Sequence, residues 1–390
     1  MRVAQISFFS DPRARMPERL LQDWPSLADV AECARRAGVR VHVIQACPHS
    51  QHWVRDGVNY HFLPFGDSHP AGGPAGCFGK LLRTIAPDIL HVHGLDFARD
   101  VLSLAAAAPG IPILLQDHAS RLPRPWRRTL WRRGFSAASG IAFCSLEQAQ
   151  PFAAAGLISR RTKVYEIPES TSRFTPGDKD QARRSLGVSG DPLVLWVGHL
   201  DANKDPLTVL EGIGRAAREL PRLQLYCCYG IAPLLRAVRR RMSEDPHLSG
   251  RVHLLGRIPH ALVEQLMSAA DIFVSGSHRE GSGYALIEAL ACGLPPVVTD
   301  IPSFCSLTGA GSVGALWPSG DAGALCNSLL SVAARPRAQM RAAARDRFDN
   351  ELSFGAVGRK LASIYQDLLE RRHRSCVAAG GRLEAVVDHV

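Results

Sequence analysis

The chain has 390 residues, 46% hydrophobic and 21% charged, with a formal net charge of +10. That length exceeds what one ordinary core organises and implies two domains, and the composition is that of a globular protein, not a disordered or fibrous one. No run of about 18 apolar residues occurs, so no membrane span is expected.

The opening, Met1 to Arg13, turns polar too soon for a secretory leader and reads as a first buried strand. Candidate strands follow at Val3–Phe8, Arg40–Gln45, Ile89–His93, Ile113–Gln116 and Gly140–Cys144, with helices near 26–37, 96–107 and 145–154. Short apolar strands alternating with helices argue for a parallel sheet covered on both faces. In Ile89–His93, His91 and His93 are read as facing opposite sides, which leaves one imidazole for a cleft and no metal pair. Pro168 to Gly177 is polar, has a proline near each end and reads as an interdomain linker. The pattern restarts at Leu193–Val197, Leu223–Cys228, Arg251–Leu255, Asp271–Ser275 and Pro296–Thr299, and Ser353–Arg372 is periodic enough for a last helix. The expected division is therefore 1–168, a linker 169–177, 178–352, a helix 353–373 that crosses back to the first domain, and a tail 374–390. Ten scattered cysteines without a C-x-x-C pair favour a reducing compartment and a cytoplasmic address.

The densest signal is Ser275–Pro302: strand, polar glycine loop, apolar helix, Cys-Gly stop and a second strand. Glu280 and Glu288 bracket Gly281, Ser282 and Gly283 there. A strand–glycine loop–helix unit gathers backbone N–H groups and the positive helix end at one point, which suits a diphosphate. A carboxylate on each side suits hydroxyl groups at both ends of that anion. Together they fit a nucleotide sugar. Glu288 lies in the otherwise apolar ALIEALAC, where an unpartnered buried carboxylate costs several kcal/mol, so it requires a ligand or a partner.

The spacing E-G-x-G-x-x-x-x-E-A-x-A-C-G-x-P, from Glu280 to Pro295, resembles the donor-site signature of the family 4 retaining glycosyltransferases of GT-B fold. The resemblance extends to Val197-Gly198-His199-Leu200 with Lys204, to Leu255-Gly256-Arg257, to Ala270–Val274, and to Gly314–Asp321. It touches the first half at Pro87–Gly94 and Asp117-His118. It implies an α/β protein of two Rossmann-like domains facing across a cleft. Gly198, His199, Lys204, Arg257, Ile258, Glu280, Gly281, Ser282, Gly283 and Glu288 would bind the donor. His118, Lys204 and Glu280 would be catalytic: Lys204 at the diphosphate, Glu280 at the donor-sugar hydroxyls, and His118, from the first domain, near the reacting carbon. Glu288 would hold the ribose. No metal or cofactor is implied. His199 stands where the family carries arginine and Ser282 where it carries phenylalanine; Arg257 or Arg279 would have to supply the missing cation. A noncatalytic nucleotide-sugar-binding relative and a sugar-nucleotide epimerase on the same fold are the alternatives.

Two motifs are set aside. Gly309–Gly314 fits G-x-G-x-x-G in letters but is followed by Ala-Leu-Trp-Pro and no helix, so it fails the context of a dinucleotide site. Asp178-Lys179-Asp180 has D-x-D spacing but follows the linker, where solvated charges are expected. The remaining signal is electrostatic: residues 121–133 hold six arginines, two tryptophans and no acid. A helix past Pro125 would set Trp126, Leu130 and Trp131 on one side, with Arg124, Arg127, Arg128, Arg132 and Arg133 around them. That composition suits an anionic membrane surface and a lipid-linked acceptor. A solvated face with packed tryptophans is the plain alternative, and nucleic acid is not expected because no companion motif occurs.

Overall fold

The computed structural model describes residues 1–64 and 73–387, without side chains for 73–78 and 375–387. Two compact units emerge, one formed by Met1–Ser170 with Phe354–Val390 and the other by Thr171–Ser353.

The first unit is built on eight strands: β1 (Arg2–Ser7), β2 (Arg40–Ala46), β3 (Gln51–Arg55), β4 (Val58–Leu63), β5 (Ile89–His93), β6 (Ile113–Gln116), β7 (Gly140–Phe143) and β8 (Lys163–Glu166). Their order is β3-β4-β2-β1-β5-β6-β7-β8, and every pairing is parallel except the antiparallel edge pair β3–β4. Strands β1, β5, β6 and β7 are buried almost throughout, as helices on both faces require. The helix Phe354–Val387 belongs to this unit. Phe354, Val357, Leu361, Ile364, Tyr365 and Leu368 recur at helical spacing and join one core with residues of the helix Pro25–Arg36.

The second unit has six parallel strands, β9 (Leu193–Val197), β10 (Gln224–Cys228), β11 (Val252–Gly256), β12 (Ile272–Ser275), β13 (Pro296–Thr299) and β14 (Ala315–Trp317). The order β11-β10-β9-β12-β13-β14 reverses direction between β9 and β12. Open α/β sheets bind ligands outside the carboxyl ends of their strands at such a reversal. Here the segments following β9 and β12 carry Gly198–Lys204 and Gly276–Gly283.

The structure differs from the sequence expectation in instructive places. β3 and β4 were not legible: β3 is an edge strand, QHWVR, with no buried residue, so its run carries no core periodicity. β14 is three residues long and follows the glycine turns of 309–314, whose Gly309, Gly311 and Gly314 all have positive φ and precede a strand, not a helix. The polar stretch after Pro168, read as a linker, is packed, and the division between the two units falls within it, between Ser170 and Thr171. Glu169, Ser170, Thr171 and Ser172 are buried, and the Thr171 hydroxyl donates to the Leu352 carbonyl at 2.5 Å. Its polarity reflects satisfied hydrogen bonds, not exposure. His91 and His93 also need correcting. Residues two apart on a strand share a face, and the two rings stack on one side of β5 with centroids 4.5 Å apart. No helix among the described residues is long and apolar enough to cross a membrane.

Candidate functional site

At the reversal in the second unit, β9 ends in Val197 and the chain turns through Gly198 and His199 towards Lys204. Beyond β12, the loop Gly276–Gly283 leads into the helix Tyr284–Ala291. The two segments meet at Lys204, whose ammonium donates to Glu280 Oε1. Both side chains are largely, not wholly, shielded, so a ligand can reach the pair. Gly283 holds the N-cap of the helix at φ 87°, and a Cβ there would lie 2.5 Å from the Phe304 ring. Only glycine fits that turn, and it keeps the helix start free of a side chain. Ser282, between the two glycines, is fully buried.

Glu288 sits in the second turn of the same helix, and its Oε1 lies 2.6 Å from Nε2 of His260. The partner its burial demanded is a histidine that sequence reading missed, at the start of the helix His260–Ala269 and packed on Phe174 with centroids 4.5 Å apart. His199 is exposed, and its Nδ1 accepts the Ile231 N–H at 3.2 Å, which leaves Nε2 as the protonated nitrogen of the neutral ring. One ring N–H cannot reproduce the bidentate grip of an arginine. Gly198, His199, Tyr229, Gly230, Arg257 and Ile258 line a cavity of about 190 Å³ at the ends of β9, β10 and β11. Tyr229 and Gly230 were also missed. The general rule for strand ends, applied to β10, identifies them.

In the first unit, His118 follows β6 and is held on both ring nitrogens. Nδ1 lies 2.9 Å from Glu169 Oε2, and Nε2 lies 3.1 Å from Nδ1 of His93. A carboxylate partner requires the proton on Nδ1 of His118. His91 extends the cluster, with Nδ1 2.8 Å from the Tyr365 hydroxyl, which also accepts from Gln5 Nε2 at 3.3 Å. Burial pulls the His91 imidazole down to about 3 and holds His93 well below the usual range, so both rings are neutral near pH 7. Burial likewise raises Asp117. Of this group only His118 was assigned from sequence. Glu169 lay in the presumed linker.

The D-x-D spacing proves to be a helix start: Asp178 Oδ1 accepts the Gln181 N–H at 2.7 Å, and Lys179 pairs with Asp271. Among the described residues no group of three or more His, Cys, Asp or Glu is arranged to hold a metal. The basic stretch also needs correction. It begins with one 3-10 turn, Pro125–Arg127, before the helix Arg128–Ala137, so Trp126 is out of phase with the residues after it. Trp126 is 72% exposed, with the Arg124 guanidinium 5.3 Å from its ring centre. Trp131 is 1% exposed and packs against Phe135, and Leu130 is drawn towards the same core. No membrane face containing Trp126, Leu130 and Trp131 together exists. What remains exposed is Trp126 with Arg124, Arg127, Arg132 and Arg133, and Arg132 donates to the Gly156 carbonyl at 2.9 Å.

Comparison with known proteins bears on the family and the fold. Residues 178–347 match the family model described as glycosyl transferases group 1, and residues 26–168 match glycosyltransferase family 4. The chain belongs to the family 4 glycosyltransferases, of GT-B fold. It is 28% identical over 228 residues to the GDP-mannose:cellobiosyl-diphosphopolyprenol alpha-mannosyltransferase of Xanthomonas campestris, across 56% of this chain and 58% of that protein. The match thus spans about three fifths of that relative's length. Among solved structures, sucrose-phosphate synthase from Thermosynechococcus elongatus superposes with a TM-score of 0.70 at 20% identity, covering 95% of this chain and 99% of that one. HepE of Anabaena in complex with UDP gives 0.66 at 18% identity, covering 94% and 100%. At these identities the two structures speak for the fold alone.

Proposed function

We infer that this protein transfers a sugar, with retention, from a nucleotide-diphosphate sugar to a hydroxyl acceptor. The observation that carries the reading is the Lys204–Glu280 pair at the reversal of the second sheet, beside a glycine loop that opens a helix. A diphosphate entering there takes the Lys204 charge and the amides of Gly281–Gly283, while Glu280 turns to the hydroxyls of the donor sugar. As the glycosidic bond breaks, negative charge builds on the leaving diphosphate, and a fixed cation with aligned amides stabilises it. The cavity beside Gly198, Arg257 and Ile258 is sized for a nucleobase, and Glu288 accepts from the ribose. No step in this scheme needs a metal. His118 takes part through a ring whose tautomer Glu169 fixes.

The acceptor we favour is a lipid-linked saccharide. The Xanthomonas relative's name carries a diphosphopolyprenol acceptor, and exposed Trp126 among arginines suits the surface of an anionic membrane on its cytoplasmic face. A panel of nucleotide sugars in a thermal-shift assay tests the donor reading. A true donor at 100 times its dissociation constant stabilises by about 2.7 kcal/mol. A released sugar-nucleotide isomer in the absence of acceptor indicates an epimerase instead, and binding without any turnover indicates a noncatalytic relative.

A further inference from the structure

Chain segments leave the carboxyl ends of β9, β12 and β14, and one residue with no role in the proposed transfer, on the β12 segment, touches the other two. His278, just past β12, has Nε2 3.1 Å from Asp205 Oδ2 and Nδ1 2.7 Å from Ser319 Oγ. Because Asp205 accepts from Nε2–H, Nδ1 of the neutral ring is the acceptor for the Ser319 hydroxyl proton. The backbone reinforces the same seam. The His278 N–H donates to the Asn203 carbonyl at 2.8 Å, and Asn203 Nδ2 donates to the Arg279 carbonyl at 3.0 Å. At Gly276 a Cβ would stand 3.0 Å from the Lys204 carbonyl oxygen, so the two loops run backbone against backbone.

Asp205 joins this seam to the helix that follows. It occupies the left-handed region at φ 49°, ψ 59°, which aspartate tolerates better than most L residues. Its carboxylate is divided between two tasks. Oδ1 accepts the Thr208 N–H at 3.2 Å and caps the helix Pro206–Ala216, while Oδ2 takes His278. Ser319 and His278 are both exposed, so the serine–histidine–aspartate chain ties loops together and does not arm an enclosed nucleophile.

We propose that His278, with Asp205 and Ser319, is a clasp that locks the Lys204 loop to the glycine-rich loop, a positioning residue for the nucleoside diphosphate and not a group that touches it. Lys204 immediately precedes Asp205, and Glu280 lies two residues beyond His278, so the clasp sets the spacing of the ion pair. The inference rests on the reading that Lys204 and Gly281–Gly283 hold the diphosphate.

The test uses the full chain with His278→Ala, Asp205→Asn, their double variant and Ser319→Ala. Asparagine keeps the cap acceptor and tolerates the left-handed backbone, but its amide N–H₂ meets His278 only if the ring moves its proton to Nδ1 and the Ser319 contact reverses. Amide hydrogen exchange of segments 199–205 and 277–283, without nucleotide, should speed up about tenfold in both single variants, because loop opening is no longer opposed by the shared bond. The double variant should be no faster than either single one, since both remove the same interaction. Ser319→Ala should have a smaller effect, and His278→Gln, which keeps an N–H for Asp205, should restore part of the protection. Titration with UDP and with GDP should show the dissociation constant of whichever nucleotide binds raised in the clasp variants, by less than the change in exchange, because affinity falls only with the closed fraction. Unchanged exchange in His278→Ala, or additive effects in the double variant, overturns the clasp. If exchange speeds up but nucleotide binding is the same in wild type, in the clasp variants and in Lys204→Ala, the clasp stands and the diphosphate reading is what fails.

Discussion

The carboxyl-end edges of the two sheets are built in opposite ways. In the second unit the edge is glycine, amide and a largely shielded ion pair: Gly283 has no side chain, and Lys204 and Glu280 neutralise each other within reach of solvent. In the first unit it is a buried packing of imidazoles, with His91, His93 and His118 engaged by Tyr365, by each other and by Glu169. The first arrangement can exchange its internal contacts for those of a charged ligand. The second resists charge, because burial keeps His91 and His93 neutral. One edge is made to receive an anion and the other to hold a ring still.

The largest effect should come from removing the cation at the receiving edge. Lys204→Ala should lower kcat on the order of 10²-fold or more, as loss of a transition-state charge clamp does. A kcat within a few-fold of wild type would make Lys204 a plain surface partner of Glu280 and blur the contrast between the edges.

Next in size is the division of labour between the glutamates. Glu288→Ala should weaken nucleotide and nucleotide sugar alike, because ribose is common to both, while Glu280→Ala should weaken the nucleotide sugar more than the bare diphosphate. Calorimetric titration of both ligands checks this, and equal losses everywhere contradict it. Removing Glu288 also leaves His260 without its carboxylate, so a control with His260→Ala separates the ribose contact from the loss of the pair.

Acid should act on the other edge. The folded-state value for His91 is about 3 against an ordinary 6.5, and His61 is held at about 4, chiefly by burial. The unfolded chain therefore takes up protons first as pH drops below 6.5, and stability is lost progressively from there towards pH 3. Each such histidine contributes at most roughly 1.4 kcal/mol per pH unit. Hydrogen exchange should show the first unit opening before the second on acidification, and the reverse order would overturn the contrast.

The smallest effect concerns the membrane. With Trp131 in the core, only Trp126 is left to insert, so sedimentation with anionic vesicles should be weak, sensitive to salt and absent with neutral vesicles. Trp126→Ala or replacement of Arg124, Arg127 and Arg133 by glutamate should abolish it. If the wild type ignores anionic vesicles at low salt, a soluble acceptor replaces the lipid-linked one.

The two edges also differed in how far they could be read in advance. The receiving edge is written in consecutive residues: the loop and helix from Glu280 to Glu288 state glycine, carboxylate and helix start in order, and the strands on either side were placed to within a residue. The histidine edge is assembled from residues 91, 93, 118, 169 and 365, and no local pattern joins Glu169 to His118 across that separation. His260 escaped for the same reason, being brought in by packing, whereas Tyr229 and Gly230 directly follow β10 and were open to the strand-end rule. The basic segment misled because a single 3-10 turn at Pro125 shifts the helical phase, which turns Trp131 inward and leaves Trp126 outside.

The central claim is that the edge of the second sheet binds a nucleoside diphosphate through Lys204 without a metal. The most direct measurement is calorimetric titration of UDP and GDP into wild type and Lys204→Ala, each in the presence of EDTA. At least one nucleotide should bind the wild type saturably in EDTA, and bind the variant about tenfold or more weakly, in keeping with the loss of a charge-assisted contact. Binding that requires added magnesium, or that is equal in the two proteins, would contradict it.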